Sequence, residues 1–111
     1  MPFDFGSVIL VPFPFTNLGA SKRRPAVVVS RFDYGAIRGD VVVMAVTSQA
    51  RADPALAEVP VAQWRAAGLL KPSTIKPVFA TLAQPLVLRT LGTLHPRDQA
   101  SLRSGIAKII G

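Results

Sequence analysis

Two apolar runs dominate the chain. The first is Pro25-Ala26-Val27-Val28-Val29-Ser30, entered from Arg23-Arg24, and the second is Val41-Val42-Val43-Met44-Ala45-Val46-Thr47, entered from Gly39-Asp40. Valine-rich runs of this length, bounded by Pro, Gly and Asp, predict buried β-strands. Ser7 to Phe13 predicts an earlier strand, broken by Pro12 and Pro14, and the segment Thr16-Asn17-Leu18-Gly19-Ala20-Ser21-Lys22 after it is polar and turn-rich. Asp33 to Asp40, with its two glycines, reads as a turn into the third strand. Extended stretches are expected around Leu56 to Val61, Ser73 to Pro77 and Leu86 to Leu94. Between the first two of these, Ala62 to Gly68 predicts a single helical turn closed by its glycine, with Trp64 as its anchor. From Pro96 the spacing of Asp98, Leu102, Ile106 and Ile109 or Ile110 gives one stripe at helical period, and Pro96 suits a first turn.

Short strands follow one another without crossover helices, so the pattern predicts a mainly β domain over residues 1–111: a small, strongly bent sheet or barrel with a C-terminal helix. If the second and third strands pair antiparallel, the start of one lies beside the end of the other. Arg24 then comes near Thr47 and Ser48. A guanidinium and a pair of hydroxyls on rigid strand ends make an anion site.

Charge sharpens that picture. Thirteen Lys and Arg stand against six acids, a net charge of +7, and Lys22, Arg23, Arg24, Arg31 and Arg38 are opposed locally by Asp33 alone. A basic balance of this kind points to a polyanionic partner. No cysteine and a single histidine leave no thiolate site and no histidine cluster, so no metal and no cofactor is expected. No stretch approaches the roughly 20 apolar residues of a spanning helix, and the start lacks the pattern of a signal peptide; a soluble, cytoplasmic protein with no membrane partner is the expectation.

Short motifs follow one another along the chain: Gly6 to Phe15, Arg24-Pro25-Ala26-Val27-Val28-Val29-Ser30, Val46-Thr47-Ser48-Gln49, Trp64 with Ala67-Gly68-Leu69, Lys71-Pro72-Ser73, and Leu91-Gly92-Thr93-Leu94. Their order resembles the MazF/PemK family of toxin-antitoxin ribonucleases. The resemblance implies an SH3-like barrel of the MazF/CcdB type, usually a homodimer, which cleaves single-stranded RNA and is neutralised by a cognate antitoxin, here expected to be acidic. It also implies that Arg24 and Thr47 are catalytic. A bidentate guanidinium suits the non-bridging oxygens of a phosphate attacked by its own ribose 2′-hydroxyl, and Thr47 can donate to the same group. The products would be a 2′,3′-cyclic phosphate and a 5′-hydroxyl, formed without metal. Asn17, Lys22, Arg23, Ser48 and Gln49 are the expected RNA contacts.

The chain departs from the family pattern in two places. Ser7 follows Gly6 where an aspartate is common, and the segment before Arg24-Pro25 carries no carboxylate. A general base for the 2′-hydroxyl is therefore missing from the motifs, with Asp33, Asp53, Glu58 and His95 as unranked candidates. Two alternatives follow: a gyrase-poisoning toxin resembling CcdB that acts through its terminal helix, and a nucleic-acid-binding module with weak or lost catalysis. Trp64 is expected to be core rather than a base-stacking platform, and His95 to cap the helix behind it.

Overall fold

A computed structural model describes residues 3–13, 22–48 and 51–111. Asn17 and Gln49 lie outside the described residues. Among the described residues six strands form one antiparallel sheet: β1 (Ser7–Phe13), β2 (Lys22–Val28), β3 (Asp40–Thr47), β4 (Val59–Pro60), β5 (Thr74–Ala83) and β6 (Arg89–Thr93). Their order across the sheet is β4-β5-β3-β2-β1-β6. Helix α1 (Phe32–Arg38) joins β2 to β3, and α2 (Pro96–Ile109) ends the fold.

The valine runs are continuous rather than alternating because the curled sheet is buried on both faces. Val8, Val27, Met44, Val46 and Ile75 pack on one side with Val61, Ala67, Leu69, Leu94 and Leu102, so the loop after β4 and helix α2 cover that face. The intervening residues Ile9, Val11, Ala26, Val28, Val41 and Val43 pack on the other with Phe3 and Leu82. Leu102 is fully buried while Ile109 and Ile110 are 41% and 70% exposed, so only the first part of the terminal stripe is core. Asp98 does not belong to the apolar stripe in chemistry. It is buried, and its two carboxylate oxygens accept the amides of Ala62 and Gln63 at 3.0 and 2.9 Å.

The stretch read as a turn over Asp33 to Asp40 is the helix α1. Its first amide, Phe32, is accepted by the Asp4 carboxylate from 28 residues away at 3.0 Å. Gly35 lies within it, and its carbonyl accepts Gln84 Nε2 at 3.2 Å. These long-range contacts hold a glycine-containing segment helical where local propensity favours a turn. Gly39, at φ 73°, then closes it.

The other elements follow the pattern with shifted ends. β2 starts three residues earlier than expected, β5 runs on through Pro77 to Ala83, and short 3-10 turns at Pro54–Leu56 and Gln84–Leu86 replace the outer parts of two expected strands. Strand β1 continues through Pro12, because β6 pairs with β1 only as far as Leu10 and leaves that edge open. The turn at Ala62 to Gly68 is helical and glycine-closed. Leu69 N–H donates to Trp64 O at 3.0 Å and Gly68 N–H to Arg65 O at 3.1 Å, with Gly68 at φ +83°. Trp64 is half-buried against the core, with the Arg65 guanidinium 4.8 Å above its ring.

Candidate functional site

Antiparallel pairing of β2 with β3 holds as Ala26↔Ala45, Val27↔Met44 and Val28↔Val43. The same register continued by two residues would set Arg24 opposite Thr47. The ladder stops first, at Ala26, because Pro25 has no N–H to donate. A cleft of about 440 Å³ opens where the strand ends part, lined by Arg23, Arg24, Pro25, Val46 and Ser48 among others. The motif proline thus ends the ladder beside the arginine that precedes it.

The far wall comes from distant segments. Arg89 faces Leu10 across the β1·β6 ladder, while Arg24 faces Val11 across β1·β2. Strand spacing places the two backbones about 10 Å apart. Leu91 is the extra residue of a β-bulge, since Val8 pairs with Gly92 and Ile9 with Thr90, and the bulge aims it into the cleft. Leu70, Lys71 and Ser73 complete the wall, and Ser73 Oγ donates to the Lys71 carbonyl at 2.8 Å. This loop lies directly on β6: a Cβ on Gly68 would meet Leu91 O at 2.1 Å, and one on Gly92 would meet Ala67 O at 2.5 Å. Two glycines are what let the backbones cross, and Asp98 holds the start of the loop from α2.

The charged lining of the cleft is Arg23, Arg24, Lys71 and Arg89, without an acid. Sequence reasoning missed Arg89 and the charge of Lys71. Lys71 opens the Lys71-Pro72-Ser73 motif, but Arg89 lies 65 residues beyond Arg24 and is brought in only by the β1·β6 pairing. A second cleft of about 510 Å³, lined by Asp4, Phe5, Arg31, Gln99 and Arg103 among others, lies at the opposite end of β2. There Arg31 is paired with Asp33 at 3.1 Å and Arg103 stacks on Phe5 at 3.9 Å, so its cations are engaged within the fold.

Ser48 lines the cationic cleft. Thr47 does not, as the two-residue period of a strand requires when Val46 and Ser48 both face it. Its Oγ1 is buried and has no hydrogen-bond partner among the described residues. Lys22 is exposed at the start of β2 and is not part of the lining. An unsatisfied buried hydroxyl costs about 1–3 kcal/mol. Thr47→Val, which removes it at constant shape, should therefore raise stability by about 1 kcal/mol, or roughly 5 °C in Tm. Thermal unfolding followed by circular dichroism checks this.

None of the candidate bases reaches the cleft. Asp33 pairs with Arg31, Asp53 accepts the Ala55 amide at 3.0 Å, and His95 Nδ1 accepts the Arg97 amide at 3.1 Å as the cap of α2. Glu58 accepts the Asp53 amide at 2.9 Å and pairs with Lys76 at 3.1 Å. That amide first, and then Lys76, hold the Glu58 carboxyl below its ordinary value of 4.5. A lowered folded-state pKa adds stability that is present above the unfolded value and is lost as pH falls through the folded one. Stability should therefore decline below about pH 4.5, and Glu58→Gln should flatten that limb in melts taken between about pH 3 and 7.

The sequence matches, over residues 4–110, the model of the PemK-like, MazF-like toxins of type II toxin-antitoxin systems. The chain belongs to this family. Among solved structures it is similar to MazF from Deinococcus radiodurans, at 22% identity and TM-score 0.76, covering 100% of this chain and 98% of that one. It is similar also to an endoribonuclease in complex with its cognate antitoxin from a mycobacterial species, at 21% identity and TM-score 0.78, covering 100% and 96%. A MazE-MazF complex from Deinococcus radiodurans matches at 23% identity and TM-score 0.75, over 100% and 97%. At these identities the likeness establishes the fold, a curled MazF-type half-barrel with a C-terminal helix. No curated protein matches the chain. Among the described residues no helix is long and apolar enough to cross a membrane.

Proposed function

We propose that this toxin-family protein is an endoribonuclease that cuts single-stranded RNA by transesterification, works as a single-domain homodimer in the cytoplasm, and is silenced by an acidic cognate antitoxin. The observation that carries the reading is a cleft whose charged lining is wholly cationic, placed where β2 and β3 part. Arg24 holds the non-bridging oxygens of the scissile phosphate and stabilises the phosphorane, since a guanidinium fork matches two oxygens at once. Arg23, Lys71 and Arg89 hold the flanking backbone, and Ser48 offers a hydroxyl on the wall. Thr47, which the continued β2·β3 register sets opposite Arg24, donates its hydroxyl to the same phosphate. Asn17, Lys22 and Gln49 are the further contacts to the RNA strand in this reading.

The reaction runs without metal. The residue types for a metal site are scarce, and among the described residues no three of His, Cys, Asp and Glu cluster. Purified protein should cleave a long single-stranded RNA undiminished in excess EDTA, leaving 2′,3′-cyclic phosphate and 5′-hydroxyl ends, and should spare an RNA with 2′-deoxyribose at the cut position. Activity restored only by Mg²⁺, with 3′-hydroxyl products, would overturn the mechanism. Inhibited gyrase supercoiling with intact transcripts would instead favour action through the terminal helix, whose Ile109 and Ile110 are exposed.

A further inference from the structure

We infer that this chain cleaves RNA without a side-chain general base: cations hold the reacting phosphate, and the proton of the 2′-hydroxyl leaves to hydroxide. The inference rests on the endoribonuclease reading of the Arg24 cleft. It follows from an inventory of the side-chain carboxylates and the imidazole, since all six acids and the single histidine of the sequence fall within the described residues.

Each of these seven groups lies elsewhere, most of them engaged in the fold. Asp4 accepts the amides of Phe5 and Phe32 at 2.8 and 3.0 Å, at the end of β2 away from Arg24. Asp33 is held by Arg31 beside it. Asp40 opens β3, whereas the cleft lies at the other end of that strand, about 23 Å away along an extended chain. Asp53, Glu58 and His95 are engaged as described above. Asp98 is buried beneath the loop that it pins. None of the seven lines the cleft.

What does line it cannot take the proton at neutral pH. Arginine is not deprotonated in proteins, a lysine ammonium has no lone pair, and serine hydroxyls are weaker bases than water-borne hydroxide. The same cations favour the alkoxide form of a ribose hydroxyl placed among them, by the rule that nearby opposite charge stabilises the ionised state. The step balances without redox change. Hydroxide takes the 2′-hydroxyl proton to give water, the 2′-oxygen bonds to phosphorus, the bond from phosphorus to the 5′-oxygen breaks, and that oxygen takes a proton from water to regenerate hydroxide.

The test is the pH dependence of the rate at saturating RNA between about pH 5.5 and 8.5, with a protein-free control subtracted. The rate should rise tenfold per pH unit with no plateau, and Glu58→Gln and His95→Asn should keep the same slope. A plateau, or a rate already flat across this range, would overturn the inference, and whichever of Glu58→Gln, His95→Asn, Asp33→Asn, Asp53→Asn, Asp4→Asn, Asp40→Asn or Asp98→Asn restores the slope names the base; each substitution acts on every copy in an oligomer, so a base supplied by a neighbouring copy is caught as well. Lys71→Arg keeps the positive charge and removes the amine. A fall of more than tenfold in the saturated rate with KM unchanged would give the proton to Lys71 and overturn the inference too. Cleavage with a plateau removes this inference alone, whereas no cleavage at any pH removes the endoribonuclease reading beneath it.

Discussion

Arg24→Ala should lower the cleavage of single-stranded RNA by two to three orders of magnitude or more while the fold survives. A preorganised donor aimed at a developing oxyanion is worth about 3–4 kcal/mol of transition-state stabilisation. Arg24 is half-buried on the cleft wall beyond the last β2·β3 pair, outside both apolar clusters, so the barrel does not depend on its packing. Arg24→Lys should recover little, because a lysine presents a point charge in place of a planar fork. Arg89→Ala offers the contrast: a group holding flanking backbone should raise KM and reduce the salt dependence of RNA binding more than it lowers kcat. Single-turnover cleavage with matched circular dichroism spectra checks both. Wild-type rates in purified Arg24→Ala would remove the site assignment.

Gly68→Ala should be among the most damaging single substitutions in the protein. The added Cβ would meet the Leu91 carbonyl at 2.1 Å, a backbone atom of a paired strand, and the residue would have to keep φ +83°. Overpacking costs about 1–3 kcal/mol and the left-handed conformation about 1–2 more, so about 2–5 kcal/mol is expected. In a domain of this size that is on the order of 10–20 °C in Tm. Gly39→Ala is the control: φ is +73°, but nothing lies within 4 Å of the added carbon. Only the conformational cost of about 1–2 kcal/mol should appear there. Because the Gly68 loop carries Lys71, residual folded Gly68→Ala should also bind RNA more weakly.

The predicted strands and the C-terminal helix could be read from the chain because their signals are local. Valine runs bounded by Pro, Gly and Asp resist any other assignment, Gly68 announces a left-handed helix end, and Pro96 with an apolar stripe at helical period announces a helix. The antiparallel pairing of the second and third strands followed from their order, and with it one side of the cleft: Arg23, Arg24 and Ser48 stand on that wall. Charge and residue types were equally legible, since a +7 chain without cysteine narrows the partners before any folding is considered.

Tertiary contacts decided the rest. A glycine-containing segment became α1 because Asp4 and Gln84, distant in sequence, satisfy its backbone. Asp98 stood at a helical core position, and only the fold supplied the two amides that make its burial tolerable. The far wall of the cleft, with Lys71 and Arg89, required the loop after β4 to cross β6 at two glycines. Thr47 ended on the strand that the sequence named, but alternation along that strand set its hydroxyl inside and left Ser48 facing the cleft. Periodicity along a chain reports which residues share a face of their own element, whereas a site is made where faces of different elements meet, and that meeting is governed by pairing register, bulges and backbone approach that no single segment encodes.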